Sequence, residues 1–292
     1  MRFAEYFARG RAAVISFEVF PPKTDPAMEN LESVLPRLAA LAPTYMTVTY
    51  GAMGTTRVKT VEVASRIRDV HRLDCACHLT CVGATRNQIE AQLEHIARRG
   101  IENIVALRGD PPRGQDRFVT VAGGFSHANE LVELLADDGR FGVAVAGYPE
   151  KHIEAPDMAS DLRWLRRKVD AGADIVITQL FYDNADFFRF VDAARDAGVT
   201  RPIVPGLLPI QSLPQIEKLA GMCGARIPLE LRERLEACGG DDAAMRMVGV
   251  EWCVAQSLDL LARGTPGIHF YVLNRASQME QIIAGLRRAG AL

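Results

Sequence analysis

Short runs of apolar, largely β-branched residues recur eight times along this 292-residue chain, each followed by a segment of helical period. The runs lie near Ala13–Val19, Tyr45–Gly51, Cys75–Cys81, Asn103–Arg108, Gly142–Tyr148, Asp174–Leu180, Pro202–Pro205 and Gly267–Leu273. Between them fall Met28–Leu41, Thr60–His71, Asn87–Arg99, Ala128–Leu135, Ala159–Ala171 and Asp186–Ala197, several closed by a glycine as helix C-termini often are. Strands that are apolar almost throughout are buried on both faces, which is the habit of a parallel sheet covered by helices. Eight such units in this length predict an α/β fold of the (β/α)8 barrel type, a single domain over residues 1–292. Leu207 to Pro266 exceeds one crossover, so extra helices are expected between strands seven and eight.

Composition narrows the partners. A net charge of −2 and the absence of a basic run argue against nucleic acid. No apolar run approaches membrane-spanning length, and Arg2, Glu5 and Arg9 leave no secretory signal at the start, so a cytoplasmic protein away from membranes is expected. Of six cysteines, Cys75, Cys77 and Cys81 cluster with His78 and invite a metal reading. In an extended strand, however, the three thiols share one face and His78 points to the other. No second ligand pair with zinc spacing exists, so no metal is expected and the thiols read as small buried groups in a reducing compartment.

A barrel builds its active site from the C-terminal ends of its strands, and polar residues collect there. Glu18 ends the first strand, Thr49 and Tyr50 the second, and His78 and Thr80 the third. Arg108 and Asp110, around Gly109, follow the fourth strand, Tyr148 the fifth and Gln179 the sixth, while Tyr271, Asn274 and Arg275 follow the eighth. Glu18 sits in an apolar, aromatic run stopped by Pro21-Pro22. Burial there should raise its pKa above the ordinary value of about 4.3 and let it hold a proton, as a general acid requires. A carboxylate paired with a basic side chain across the sheet is the structural alternative. No dinucleotide fingerprint, P-loop, H-E-x-x-H or G-x-S-x-G is present. The remaining set suits recognition of a flat heterocycle. On the helix at Ala159–Ala171, Asp161, Trp164 and Lys168 share one side beside the Leu162, Leu165 and Val169 stripe. They read either as a surface ion pair bridged by an aromatic or as a helix edge over the pocket, with Lys168 free for a phosphate or ribose.

Several motifs carry a resemblance: S-F-E-V-F-P-P-K (16–23), V-T-Y-G-A (48–52), H-L-T (78–80), A-L-R-G-D-P-P (106–112) and A-G-Y-P-E-K-H (146–152). K-V-D-A-G-A-D (168–174), I-T-Q-L-F (177–181), P-G-L-L-P-I (205–210) and H-F-Y-V-L-N-R (269–275) continue it. Along its whole length the chain resembles the methylenetetrahydrofolate reductase family, flavin enzymes of one-carbon metabolism that supply methyl groups for methionine. The resemblance implies a (β/α)8 barrel with FAD at the strand C-termini. It also implies NAD(P)H as donor, methylenetetrahydrofolate as substrate and a homo-oligomeric assembly. It assigns Glu18 as the acid that helps open the folate ring and Asp110 as the carboxylate beside flavin and pterin. Gln179 matches a contact to folate and nicotinamide, and Tyr271 and Arg275 match the folate side. Thr49, His78, Arg108, Gly109, Tyr148, His152, Asp161 and Lys168 match FAD contacts, with Arg167 beside Lys168 suited to the pyrophosphate.

Departures from the family pattern qualify these expectations. Leu219 stands where some members place a phenylalanine on the nicotinamide. Trp164 occupies a variable FAD-contacting position, where its indole would crowd or stack on the cofactor. The loop Met53-Gly54-Thr55-Thr56 varies and carries no expectation. The chain stops at Leu292 without the C-terminal regulatory domain of eukaryotic relatives, so no inhibition by S-adenosylmethionine is expected. Three alternatives share the barrel: a pterin-dependent methyltransferase without flavin, a flavin-free reductase, and a non-catalytic folate-binding protein. Retention of Glu18, Asp110 and Gln179 weighs against the last.

Overall fold

The computed structural model of the chain describes residues 1–8, 12–50, 55–111 and 118–292, the side chains of residues 55–57 excepted. Eight parallel strands close a barrel in sequence order: β1 (Val14–Val19), β2 (Tyr45–Val48), β3 (Asp74–Thr80), β4 (Asn103–Leu107), β5 (Gly142–Gly147), β6 (Ile175–Leu180), β7 (Ile203–Leu207) and β8 (Gly267–Tyr271). The sheet has no edge because β1 pairs with both β2 and β8. Around it lie α1 (Phe3–Tyr6), α2 (Asp25–Ala40), α3 (Thr55–His71), α4 (Arg86–Arg98), α5 (Ala128–Asp138), α6 (Met158–Asp170), α7 (Asn184–Asp196) and α11 (Ser277–Arg288). The long insertion after β7 holds α8 (Leu213–Cys223), α9 (Leu229–Glu236) and α10 (Asp242–Ala262). The predicted barrel and its extra helices are both present.

Alternation along the strands separates two cores. Ile15, Phe17 and Val19 of β1, with Cys75, Cys77 and Leu79 of β3 and Phe270 of β8, face outward into the layer beneath the helices. The opposite parity points inward. At the strand N-termini it forms a plug of Val14, Tyr45, Ala76, Val105, Ala144 and Ile175, which α1 closes with Phe3 and Tyr6. Phe3 donates its backbone N–H to Asn103 Oδ1 at 2.8 Å, and the Phe3 and Tyr6 rings both lie 5.3 Å from that of Tyr45. This short helix has no periodic signal in the sequence. Its role is to seal the barrel floor, so every inward residue above the plug serves the opposite mouth.

Helices start where local chemistry supports them. Thr85 accepts from Gln88 N while the Gln88 side chain accepts from Thr85 N, a complete capping box for α4. Asp157 caps α6 through Ser160 N, and Ser212 caps α8 through Gln215 N. The expected helix at Met28–Leu41 begins three residues earlier, at Asp25, because Pro26 fits the first turn, where a missing N–H costs no bond. Pro36 sits inside that helix on its exposed face, so the carbonyl it strands meets water. The expected second strand ran to Gly51; β2 ends at Val48, and Gly51 to Gly54, with much of the variable loop, lie outside the described residues. Pro112, in the fourth motif, also lies outside them.

Candidate active site

Inward parity brings Ser16 and Glu18 of β1, His269 and Tyr271 of β8, Thr47 of β2, and His78 and Thr80 of β3 toward the mouth. In the sheet Ser16 pairs with His269, and Glu18 pairs with Tyr271 on one side and Thr47 on the other. The Glu18 side chain is 16% exposed, and its contacts all fall on one oxygen. Oε2 lies 3.1 Å from His78 Nε2 and 3.3 Å from His269 Nε2, and it accepts from Thr47 Oγ1 at 3.4 Å. His269, fully buried, is fixed on its other side by Ser16 Oγ, 2.8 Å from Nδ1. Among the described residues Oε1 has no partner, so it is the oxygen left for a ligand.

This geometry reverses one expectation. Burial alone raises the Glu18 pKa, but the field and hydrogen bonds of His78 and His269 outweigh it and bring the value down to about 2. The structural alternative read from the sequence, a carboxylate paired across the sheet, is what the fold supplies, with histidines as partners. Neither histidine was legible as a partner of Glu18. Ser16 and His269 carry only a parity signal, two residues before Glu18 and Tyr271 respectively.

Eleven of the expected residues line one cavity of about 440 Å³ at the strand C-termini. Glu18, Thr49 and His78 come from the β1–β3 side, and Arg108, Gly109 and Asp110 from the turn after β4. Tyr148 and His152 follow β5; Gln179, Leu219 and Tyr271 come from β6, α8 and β8. Gly109 has φ +89°, and a Cβ on it would meet Val82 Cγ1 at 2.8 Å, so this turn tolerates only glycine. On the far wall Tyr271 donates to Thr178 O at 2.6 Å, crossing β7 at Gly206. A Cβ at Gly206 would lie 2.2 Å from that carbonyl and 2.7 Å from the Tyr271 hydroxyl. Burial raises the pKa values of Tyr148 and Tyr271, which keeps both phenols as donors. Cys223, one turn beyond Leu219 on α8, also lines the cavity.

The cavity opens past Arg108, Tyr148 and His152 into a second pocket of about 300 Å³, lined also by Asp161, Trp164 and Lys168. Here α6 supplies one wall, with Leu162, Leu165 and Val169 buried against the barrel and the predicted trio on the pocket side. Asp161 and Lys168 form no direct ion pair: Asp161 Oδ2 accepts from His152 N at 2.9 Å, and Lys168 Nζ donates to Ala146 O at 2.5 Å. Burial draws the Lys168 pKa down to about 8, against the opposing pull of Asp161. Arg108 is held by a two-pronged pair with Glu154 at 2.5 and 2.8 Å. The Trp164 indole, 40% exposed, stacks on His127 with ring centroids 4.7 Å apart and planes 8° apart. It walls the pocket at its outer rim, and the Arg167 guanidinium lies 4.9 Å from its ring. His127 and Glu154 were not anticipated; a histidine before Ala128-Asn129-Glu130 reads only as a helix start.

Two residues that the resemblance implicates line neither pocket, and Asn274, read at the end of the eighth strand, is spent on the backbone N–H and carbonyl of Phe20 instead. Arg275 is exposed and donates to Gln211 Oε1 at 2.9 Å, and Arg167 faces the groove between α5 and α6.

Comparison with known proteins gives a consistent result. The family model described as methylenetetrahydrofolate reductase matches residues 3–287. Methylenetetrahydrofolate reductase (NADH) 1 of Arabidopsis thaliana is 43% identical over 270 residues, which is 89% of this chain and 46% of that protein. The chain thus spans about half the length of its plant relatives. The 5,10-methylenetetrahydrofolate reductase of Escherichia coli is 37% identical over 268 residues, 92% of this chain and 88% of that protein. Among solved structures, an uncharacterized Clostridium thermocellum protein that binds two copies of 5-methyl-5,6,7,8-tetrahydrofolic acid superposes with a TM-score of 0.64. It shares 16% identity over 98% of both chains, a likeness of fold.

Proposed function

The chain belongs to the methylenetetrahydrofolate reductase family, and on that premise we propose that it reduces 5,10-methylenetetrahydrofolate to the 5-methyl form with FAD, using NADH or NADPH. The observation that carries this reading is the convergence of residues from six strands and α8 on one cavity that continues into a pocket holding a half-buried lysine. Lys168 is a desolvated cation whose one hydrogen bond goes to a carbonyl, so it suits a phosphate oxygen. Gly109 lets a planar ring approach the backbone, and the Trp164–His127 stack leaves the pocket beside it open. The residues fit the group: Thr49, His78, Arg108, Gly109 and Tyr148 would hold its ring side, and His152, Asp161 and Lys168 its phosphate side. When bound, the flavin supplies hydride transfer from the nicotinamide to the folate methylene carbon.

The chain's own part is to bind, orient and handle one proton. Glu18 Oε1 is turned to the ligand, while Oε2 is tied to two imidazoles. Glu18 is ionised in the ligand-free fold, so a proton that it gives to the opening folate ring must first be taken up at Oε1, the oxygen turned to the ligand. Gln179 spends its Oε1 on Leu180 N at 2.9 Å, which leaves its amide N–H group to bind a folate or nicotinamide oxygen. Asp110 is exposed at the rim, where it meets substrate as it enters. NADH stands in the name of the Arabidopsis relative, which makes it the first donor to try. The test is product analysis: protein supplied with FAD, methylenetetrahydrofolate and either nicotinamide should form 5-methyltetrahydrofolate. No product with either donor refutes the proposal.

A further inference from the structure

Among the described residues, two strand hydroxyls inside the barrel have no partner, Tyr45 in the apolar plug at the floor and Thr80 near the mouth, whereas the others toward the mouth are bonded. Ser16 Oγ meets His269, Thr47 Oγ1 bonds Glu18, and Thr178 Oγ1 accepts from Gly206 N at 2.9 Å. Thr80, the last residue of β3, is 6% exposed and lines the large cavity, yet its Oγ1 has no hydrogen-bond partner. A β-strand gives it no carbonyl one turn back to bond, as a helix would. A buried hydroxyl without a partner is destabilising, so such groups in native proteins generally mark a missing ligand or water.

We propose that Thr80 is a ligand-contacting residue whose hydroxyl hydrogen-bonds a carbonyl oxygen or ring nitrogen on the edge of a flat heterocycle. Its neighbours identify which one. Thr80 pairs with Leu107 on β4, directly before Arg108 and Gly109, and shares its inward face with His78. A Cβ on Gly109 would come within 3.1 Å of Thr80 Cβ, so the cradle that admits a ring to the backbone is also the wall beside this hydroxyl. Gln179, Leu219 and Tyr271, on the folate side, belong to β6, α8 and β8. The heterocycle is therefore the flavin ring, and the assignment rests on the flavin reading above.

The experiment compares ligand-free wild type, Thr80→Val and Thr80→Ser by thermal unfolding and by fluorescence titration with FAD. Valine keeps the shape and removes the hydroxyl. The ligand-free Thr80→Val protein should unfold at or slightly above the wild-type temperature, because it loses an unpartnered polar group. Its Kd for FAD should rise roughly tenfold, the size of one hydrogen bond to a ligand. Thr80→Ser should bind FAD within about threefold of wild type, less than a full hydrogen bond. An unchanged Kd in Thr80→Val overturns the assignment, as does a serine variant that behaves like valine. So does a lowered unfolding temperature of ligand-free Thr80→Val, which would mark a structural hydroxyl. Wild type that binds no FAD overturns the flavin reading, and this assignment with it; wild type that binds while Thr80→Val binds equally well overturns the assignment alone.

Discussion

Glu18→Gln turns the inverted pKa of the central carboxyl into a measurable quantity. The carboxyl faces His78 from β3, His269 and Tyr271 from β8, and Thr47 from β2. It ionises near 2 in the fold against an ordinary 4.5, because the two imidazoles outweigh its burial. A carboxyl with a lowered folded-state pKa favours the fold when ionised. The advantage is complete above the unfolded value and disappears as pH falls through the folded one. At about 1.4 kcal/mol per pH unit it is worth on the order of 3 kcal/mol at neutrality, and roughly half remains at pH 3. Urea unfolding of wild type and Glu18→Gln between pH 7 and pH 3 reads this difference directly. Wild type should be more stable at pH 7 by a few kcal/mol or somewhat less, since the amide keeps part of the hydrogen bonding. The gap should narrow steadily on acidification. A gap that is absent at neutrality, or that widens as pH falls, would show Glu18 holding a proton in the fold and refute the argument.

Three other outcomes follow from the geometry. Gly206→Ala places a Cβ 2.2 Å from Thr178 O, a backbone clash that should cost about 2–3 kcal/mol in chemical denaturation; a loss below about 1 kcal/mol would mean that β7 yields freely. Lys168 is drawn down to about 8 by burial, and an anionic ligand prefers its charged form, so FAD affinity should fall as pH rises through about 8. Lys168→Met should bind weakly and lose that pH dependence; a variant that keeps it assigns the titration to another group. Trp164 walls the pocket without filling it, so Trp164→Asn should change FAD affinity less than about tenfold, the scale of one aromatic contact. A larger gain in affinity would show the indole blocking the cofactor.

The barrel was legible because its strands are apolar on both faces and its helices periodic, two signals that local sequence carries in full. Strand ends were misjudged by one to three residues, as at Val48 and Tyr271, since β-prone residues such as Tyr50, Val272 and Leu273 continue the strand pattern beyond the paired register. The short helix at Phe3–Tyr6 escaped notice because four residues hold no period; its function, plugging the floor, exists only once the barrel closes. Site residues at strand ends could be named singly, but what surrounds them could not. Glu18 read as a lone buried acid because His78 and His269 stand 60 and 251 residues away, and only closure of β8 onto β1 brings the farther one beside it. For the same reason nothing in the sequence distinguishes the unpartnered Thr80 from the satisfied Thr47 and Thr178.

On the proposed function, one cavity serves both half-reactions, reduction of the flavin by a nicotinamide and transfer of the hydride to folate. The most direct test is the visible spectrum of the purified, FAD-loaded protein kept free of oxygen. NADH or NADPH should bleach the flavin band, and methylenetetrahydrofolate added afterwards should restore it with formation of one equivalent of 5-methyltetrahydrofolate. A band that bleaches but does not return with folate would contradict the claim, as would a protein that takes up no flavin.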